Sequence, residues 1–219
     1  MFSGADKTPR KWAKSCAALL ASRLSREALT TALLQPWAAV IEVGDGDNAE
    51  IAAGDWTAVL TPDGGFYLSV TTSSAFGLQV AQLVTGALVS RAVLLPERRS
   101  VVELCLQEVV ANAIIHGNLG IPSTAKDHPE GYRVFSQQVN NRLADPQLRL
   151  RRVDLFVRWS GAVLDISVLD QGAGFDANTV PTVVEGTSRS GRGFVFMRAL
   201  ARDVRVSDGG RCTSLRFAL

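Results

Sequence analysis

The chain has 219 residues, 47% of them hydrophobic and 20% charged, with a formal net charge of +2. This balance fits a globular protein with one substantial core, or a core plus a small appendage, and excludes disordered and fibrous classes. The weak charge, with 23 Lys and Arg spread along the chain, argues against nucleic acid as a partner.

One mildly basic run, Arg149, Arg151 and Arg152, reads as the start of a strand or a solvated edge, with a partner-binding surface as the alternative. Cys16, Cys105 and Cys212 are far apart and form no metal-ligand pair, which suits a reducing compartment. No apolar run approaches the roughly 20 residues of a membrane span. Lys7, Arg10, Lys11 and Lys14 precede the apolar Ala17 to Ala21, but Arg23 and Arg26 cut that segment too short for a secretory signal. The expected location is the cytoplasm, away from membranes.

From Pro9 to Leu34, Trp12, Cys16, Leu19, Leu20, Leu24, Leu29 and Leu33 recur mostly at three- and four-residue spacings, which predicts an amphipathic helix ended by Gln35-Pro36. Trp37 to Val43, Trp56 to Leu60 and Phe66 to Val70 are short and β-prone, separated by turn residues at 44–48 and 62–65, and read as a small meander. Asp45 and Asp47 suggest a calcium loop, but the later ligands and the closing Glu are missing, so turn chemistry is the better reading. The pattern from Ser74 to Val89 predicts one long helix ending before Pro96, with Ser100 capping the next.

That next helix, Val101 to Asn118, carries Glu108, Asn112 and His116 at four-residue steps. At about 100° per residue the three share one arc about 80° wide. Glu103 and Gln107 lie roughly opposite, and apolar residues such as Leu106, Val109 and Val110 fill the flanks. A buried carboxylate, amide and imidazole need partners. These are a bound ion or ligand, or one another and nearby backbone. Gly117 and Asn118 suit the carboxyl end.

Leu119 to Leu150 is polar, with a short helix expected from Tyr132 to Leu143, stopped by Asp145-Pro146. Val153, Leu155, Val157 and Trp159 then alternate on one strand face, Ser160-Gly161 makes a two-residue turn, and Leu164, Ile166 and Val168 line the return strand. A helix follows from about Phe194 to Ala201. Val204 to Val206, Asp208-Gly209-Gly210 and Cys212 to Phe217 read as a last hairpin.

Where the return strand ends, Asp170 is followed by Gly172 and Gly174. The glycines let the backbone turn and a flat ligand approach, while the carboxylate can accept from an exocyclic amine. Gly191-Arg192-Gly193 opens a helix, where free amides and the helix dipole bind phosphate. Either box alone also fits a plain structural turn.

Taken together, EVVANAIIHGN (from Glu108), LDQGAGFD (from Leu169) and SGRGFVFMRALARDVRV (from Ser190) resemble the ATP-binding domain of the GHKL superfamily, which includes gyrase, histidine kinases and MutL. They are most similar to the anti-sigma-factor serine/threonine kinases. The resemblance covers about Ser74 to Leu219. It implies a histidine kinase-like ATP-binding domain at 74–219 and does not cover 1–73, where the residue pattern gives an amino-terminal helix and small meander of unknown role. The implied fold is a two-layer α/β sandwich of the Bergerat type, a mixed and mainly antiparallel sheet with helices on one face.

By that resemblance Asp170 would hold the adenine amine, with Gly172 and Gly174 shaping the pocket floor. Asn112 would bind Mg²⁺, and Gly191, Arg192 and Gly193 would contact phosphates, beneath a short lid from Asp176 to Ser190. Glu108 would be the general base. His116 would either steady the phosphates or cap the helix. The family's last box usually places Gly-Thr before the final strand; here Gly210 is followed by Arg211 and Cys212. Thr213 is displaced, and its place in the pocket stays open.

A complete histidine kinase needs a phosphoacceptor histidine on a preceding helix, and the only histidines are His116 and His128. The expected function is a Mg-ATP-dependent regulatory protein kinase in signal transduction. It would phosphorylate Ser or Thr of a small antagonist protein, sequester a sigma factor or other signalling partner, and act as a homodimer. The alternatives are an ATP-binding interaction module with little transfer activity, a detached histidine kinase catalytic domain, or a protein that binds no nucleotide.

Overall fold

The alternation expected for Val153 to Val168 is present. Val153, Leu155, Val157, Leu164, Ile166 and Val168 are buried at 0 to 1% exposure and form the floor of the core. The structure is a computed structural model that describes residues 18–22, 24–35, 37–43, 63–122, 131–176 and 192–219. Strands β1 (Ala18–Ala21), β2 (Ala39–Glu42), β3 (Gly65–Thr71), β4 (Arg152–Ser160), β5 (Val163–Asp170), β6 (Asp203–Ser207) and β7 (Cys212–Ala218) form one seven-stranded sheet. Its order is β1-β2-β3-β4-β5-β7-β6. The pairs β1-β2 and β2-β3 are parallel and the other four antiparallel. Helices α1 (Arg26–Leu34), α2 (Thr72–Leu78), α3 (Val80–Ser90), α4 (Arg99–Asn112), α5 (Gly131–Ala144), α6 (Pro146–Arg149) and α7 (Arg192–Leu200) accompany it. Val84 and Leu88 of α3, Leu106 and Val109 of α4 and Met197 of α7 share one apolar cluster with the inward sheet residues. The expected α/β fold, mixed and mainly antiparallel, is therefore the fold observed.

The amino-terminal region departs from expectation. Residues Ala18 to Ala21 form a strand paired in parallel with Ala39 to Glu42, and the helix begins only at Arg26. A four-residue apolar run fits either periodicity. Here Leu19 packs on the core while Leu20 is 50% exposed, the alternation of a strand. The parallel β1-β2 and β2-β3 pairs also rule out a meander, because parallel neighbours need a crossover connection. For β1 and β2 that crossover is α1, capped by Ser25, whose Oγ accepts from the Ala28 amide at 3.0 Å. The expected strand at 56–60, the turn at 44–48 with Asp45 and Asp47, and the helix before residue 18 lie outside the described residues.

Long-range polar contacts bind this region to the rest. Arg91 donates from Nε and Nη2 to the Leu33 carbonyl at the carboxyl end of α1, at 3.0 and 2.7 Å, and lies over the Phe66 ring. Buried Glu42 accepts from the Thr71 amide at 2.7 Å and from the Ser74 hydroxyl at 2.6 Å, at the start of α2. Residues Gly65 to Thr71 pair along their whole length with β4. The amino-terminal segment thus extends the sheet.

Three further expectations are corrected. The single helix from Ser74 is two helices, broken at Gln79, whose φ and ψ are 53° and 54°. Arg26 donates to the Leu78 carbonyl at 3.2 Å and to Gln79 Oε1 at 3.1 Å, so a residue far off in sequence satisfies the carboxyl end of α2. Ser100 lies inside α4 rather than capping it, because a 3-10 turn from Pro96 to Arg98 leads straight into that helix. The β4-β5 turn is Gly161-Ala162, one residue later than expected, since Ser160 pairs with Val163. The expected helix around Tyr132 to Leu143 and the last hairpin are both present.

Candidate functional site

Helix α4 does not simply stop at its glycine. Residues Ala113 to Asn118 form a π-helical turn in which the Leu119 amide donates to Ile114 O at 2.8 Å. Such a widened turn shifts the side-chain phase and is frequent at functional sites. Glu108, Asn112 and His116 are all half-buried. His116 Nδ1 donates to the Ile121 carbonyl at 2.6 Å, which fixes the ring against the chain leaving the helix. On the opposite side Glu103 pairs with Arg99 at 3.1 Å and accepts from Thr85 at 3.0 Å.

Glu108 faces the start of α7. A Cβ placed on Gly193 would stand 2.6 Å from Glu108 Oε2, so the missing side chain is what lets the carboxylate reach the first turn of that helix. Phe194 and Met197, buried at 9% and 0%, anchor α7 in the core. The helix begins at Arg192. Gly191 and the expected lid beyond Asp176 lie outside the described residues. Burial first, and the Glu108 carboxylate second, push the Cys105 thiol up to about 11, so it is unreactive at neutral pH.

The second carboxylate is at the end of β5. Asp170 is 8% exposed. Burial raises its pKa above the ordinary carboxylate value, opposed by a hydrogen bond from the Gly172 amide and by the charges of Arg211 and Arg151. Gly117, at the end of the π turn, forms the facing wall: a Cβ there would sit 2.5 Å from Asp170 Cγ and Oδ1. Gly172 in turn lies against the Gly117 carbonyl, with no room for a side chain. The two glycines therefore bring the helix end and the post-strand loop into backbone contact beside a buried carboxylate.

Gly174, with φ of 75°, brings the same loop against the Gly209 carbonyl, and the Phe175 amide donates to that oxygen at 3.1 Å. The Phe175 ring meets the Phe194 ring edge-on at 5.9 Å, linking the loop to α7. Thr213 is buried and pairs with Val168. It shares the inward alternation of Leu215 and Phe217 and so lies on the sheet face that carries Val168 and Asp170. The turn Asp208–Gly210, with Arg211 after it, takes up the displacement seen in the sequence.

One residue had no functional reading from sequence. Asn118 is wholly buried, and its Oδ1 accepts from the Gln171 amide at 2.7 Å. Its Nδ2 donates to Thr72 Oγ1 at 2.8 Å and to the Arg152 carbonyl at 2.9 Å. The available signal was that Asn118 continues, at a four-residue step, the buried row Leu106, Val110 and Ile114.

The arrangement is thus a buried carboxylate packed between glycine walls at the carboxyl end of the helical segment that α4 begins, and a half-buried carboxylate of α4 itself against the N-terminus of α7. A family model for the histidine kinase-like ATPase domain matches residues 77–218. The chain belongs to this family. No curated protein matches the chain. Membership implies ATP binding. Among the described residues no three His, Cys, Asp or Glu side chains gather into a metal-binding group. The Asn112 amide oxygen, half-buried on α4, is a hard donor of the kind Mg²⁺ takes. Among the described residues no helix is long and apolar enough to cross a membrane.

Proposed function

We propose that the chain is a regulatory protein kinase of the anti-sigma-factor type, which transfers the γ-phosphate of ATP to a Ser or Thr hydroxyl of a small antagonist protein. It acts as a cytoplasmic homodimer and sequesters a sigma factor or another signalling partner. Asp170 accepts from the adenine amine between Gly117 and Gly172, with Gly174 and Thr213 completing the base end. Gly191, Arg192 and Gly193 hold phosphates at the start of α7, and His116 steadies the helix end beside them. Asn112 would hold Mg²⁺, whose charge would offset that of the phosphates. Glu108 takes the proton of the attacking hydroxyl as its oxygen bonds to the γ-phosphorus, and the bond to the β-γ bridging oxygen breaks to release ADP.

The observation that carries this reading is the placement of the Glu108 carboxylate against Gly193 at the start of α7, with Asn112 one turn along the same helix. A base, a metal ligand and a phosphate-binding helix end then share one wall. Replacing Glu108→Gln keeps size and hydrogen bonding but removes the base. Phosphotransfer to the antagonist should fall by about 10² to 10⁴-fold, with ATP affinity within about twofold. Transfer at the wild-type rate would exclude the base role, and a wild type that binds ATP but phosphorylates nothing would favour a nucleotide-dependent interaction module.

A further inference from the structure

We propose that Asn118 is a positioning residue that sets nucleobase selectivity, by holding the peptide after Asp170 so that its carboxylate faces the base. This rests on the nucleotide reading above. Three successive amides around the carboxylate are committed. Asp170 N–H donates to the Arg211 carbonyl at 3.1 Å. Gln171 N–H donates to Asn118 Oδ1 at 2.7 Å, and Gly172 N–H to Asp170 Oδ1 at 2.8 Å. Only the middle amide depends on a side chain from another element.

Without Asn118 the part-buried Gln171 amide loses its acceptor, and the peptide, at an exposed residue, is free to rotate. Rotation would withdraw the neighbouring Gly172 amide that orients the carboxylate. The surrounding bonds give Asn118 no such freedom. Both Nδ2 protons are used, on Thr72 of α2 and the first carbonyl of β4. Its main-chain carbonyl accepts from Arg151 Nη1 at 2.8 Å. Gln171 closes the ring of contacts, its Oε1 accepting from the Arg152 amide at 2.8 Å. A wholly buried amide is a costly way to fill space that a leucine could fill. What the amide adds is a fixed tie between α2, β4 and the residue after Asp170.

The test compares ATP with purine riboside triphosphate, which lacks only the exocyclic amine, by calorimetric titration at low temperature. The wild type should favour ATP by about tenfold or more, the worth of one hydrogen bond to a charged group. Asn118→Ser should bind both with similar affinity, the preference falling below about threefold. Thr72→Val, which removes one partner of the amide and leaves its bond to Gln171, should give an intermediate ratio. A wild-type ratio in Asn118→Ser, with only the melting temperature lowered, would assign Asn118 a structural role and overturn the proposal. If Asn118→Ser does not fold, an unchanged ratio in Thr72→Val overturns it. A wild type that binds neither nucleotide sinks the nucleotide reading itself. One that binds both equally removes the amine contact of Asp170, and the selectivity role with it.

Discussion

The two carboxylates, Asp170 at the end of β5 against Gly117 and Glu108 on α4 against Gly193, lie in unlike surroundings. Asp170 is buried, receives the Gly172 amide, and is boxed in by the backbones of Gly117 and Gly172, which Asn118 and Gln171 tie to β4 and α2. Glu108 is half-buried and approaches Gly193 at the tip of a side chain with three rotatable bonds. On the proposed function the difference in surroundings matches a division of labour: the rigid, buried carboxylate would select a base, and the more mobile one would move a proton. Rigidity at the first is coupled to the fold, so changes there alter stability. At the second they alter rate.

Two glycine substitutions sharpen this contrast, because each adds a methyl group against a carboxylate. Gly117→Ala meets a carboxylate held on several sides, and overpacking of that kind costs about 1 to 3 kcal/mol, a fall in melting temperature of roughly 3 to 10 °C. A melting temperature equal to the wild type would show that the Asp170 end yields as readily as the other. Asp170→Asn should move stability the other way. The raised pKa means the folded protein, without ligand, binds the Asp170 proton more tightly than the unfolded chain does. Ionisation therefore destabilises the fold as pH rises through the folded pKa, and that loss is recovered as pH falls back through the same window towards the ordinary carboxylate value. The neutral amide removes the penalty, so the variant should melt above the wild type at neutral pH, and the difference should vanish in acid. A lower melting temperature at every pH would mean that the carboxylate stabilises the fold. Gly193→Ala should do least to stability, within about 0.5 kcal/mol, because Glu108 can swing aside. Its effect belongs to the phosphate end, measured as slower phosphorylation together with weaker ATP binding.

Legibility from sequence followed the same division between local pattern and distant partner. The β4-β5 alternation, the α4 stripe and the last hairpin are set by neighbours within one or two elements, and all are present. The break at Gln79 has no glycine or proline at the break itself; it is satisfied by Arg26, which lies in a different helix. The strand at Ala18 to Ala21 exists because β2 pairs with it, which a four-residue run cannot announce. At the candidate site, Glu108, Asn112, His116, Asp170 and the glycines stand out in the sequence because motif spacing carries them. Asn118 could not, because its importance lies in bonds to Thr72, Arg152 and Gln171, which sequence distance hides.

The most direct test is calorimetric titration of the wild type and of Asp170→Asn with ATP in the presence of Mg²⁺. The account predicts saturable binding by the wild type, weakened about 10- to 100-fold in the variant. Wild-type protein that binds no ATP, or a variant that binds it equally well, would contradict the assignment of this site.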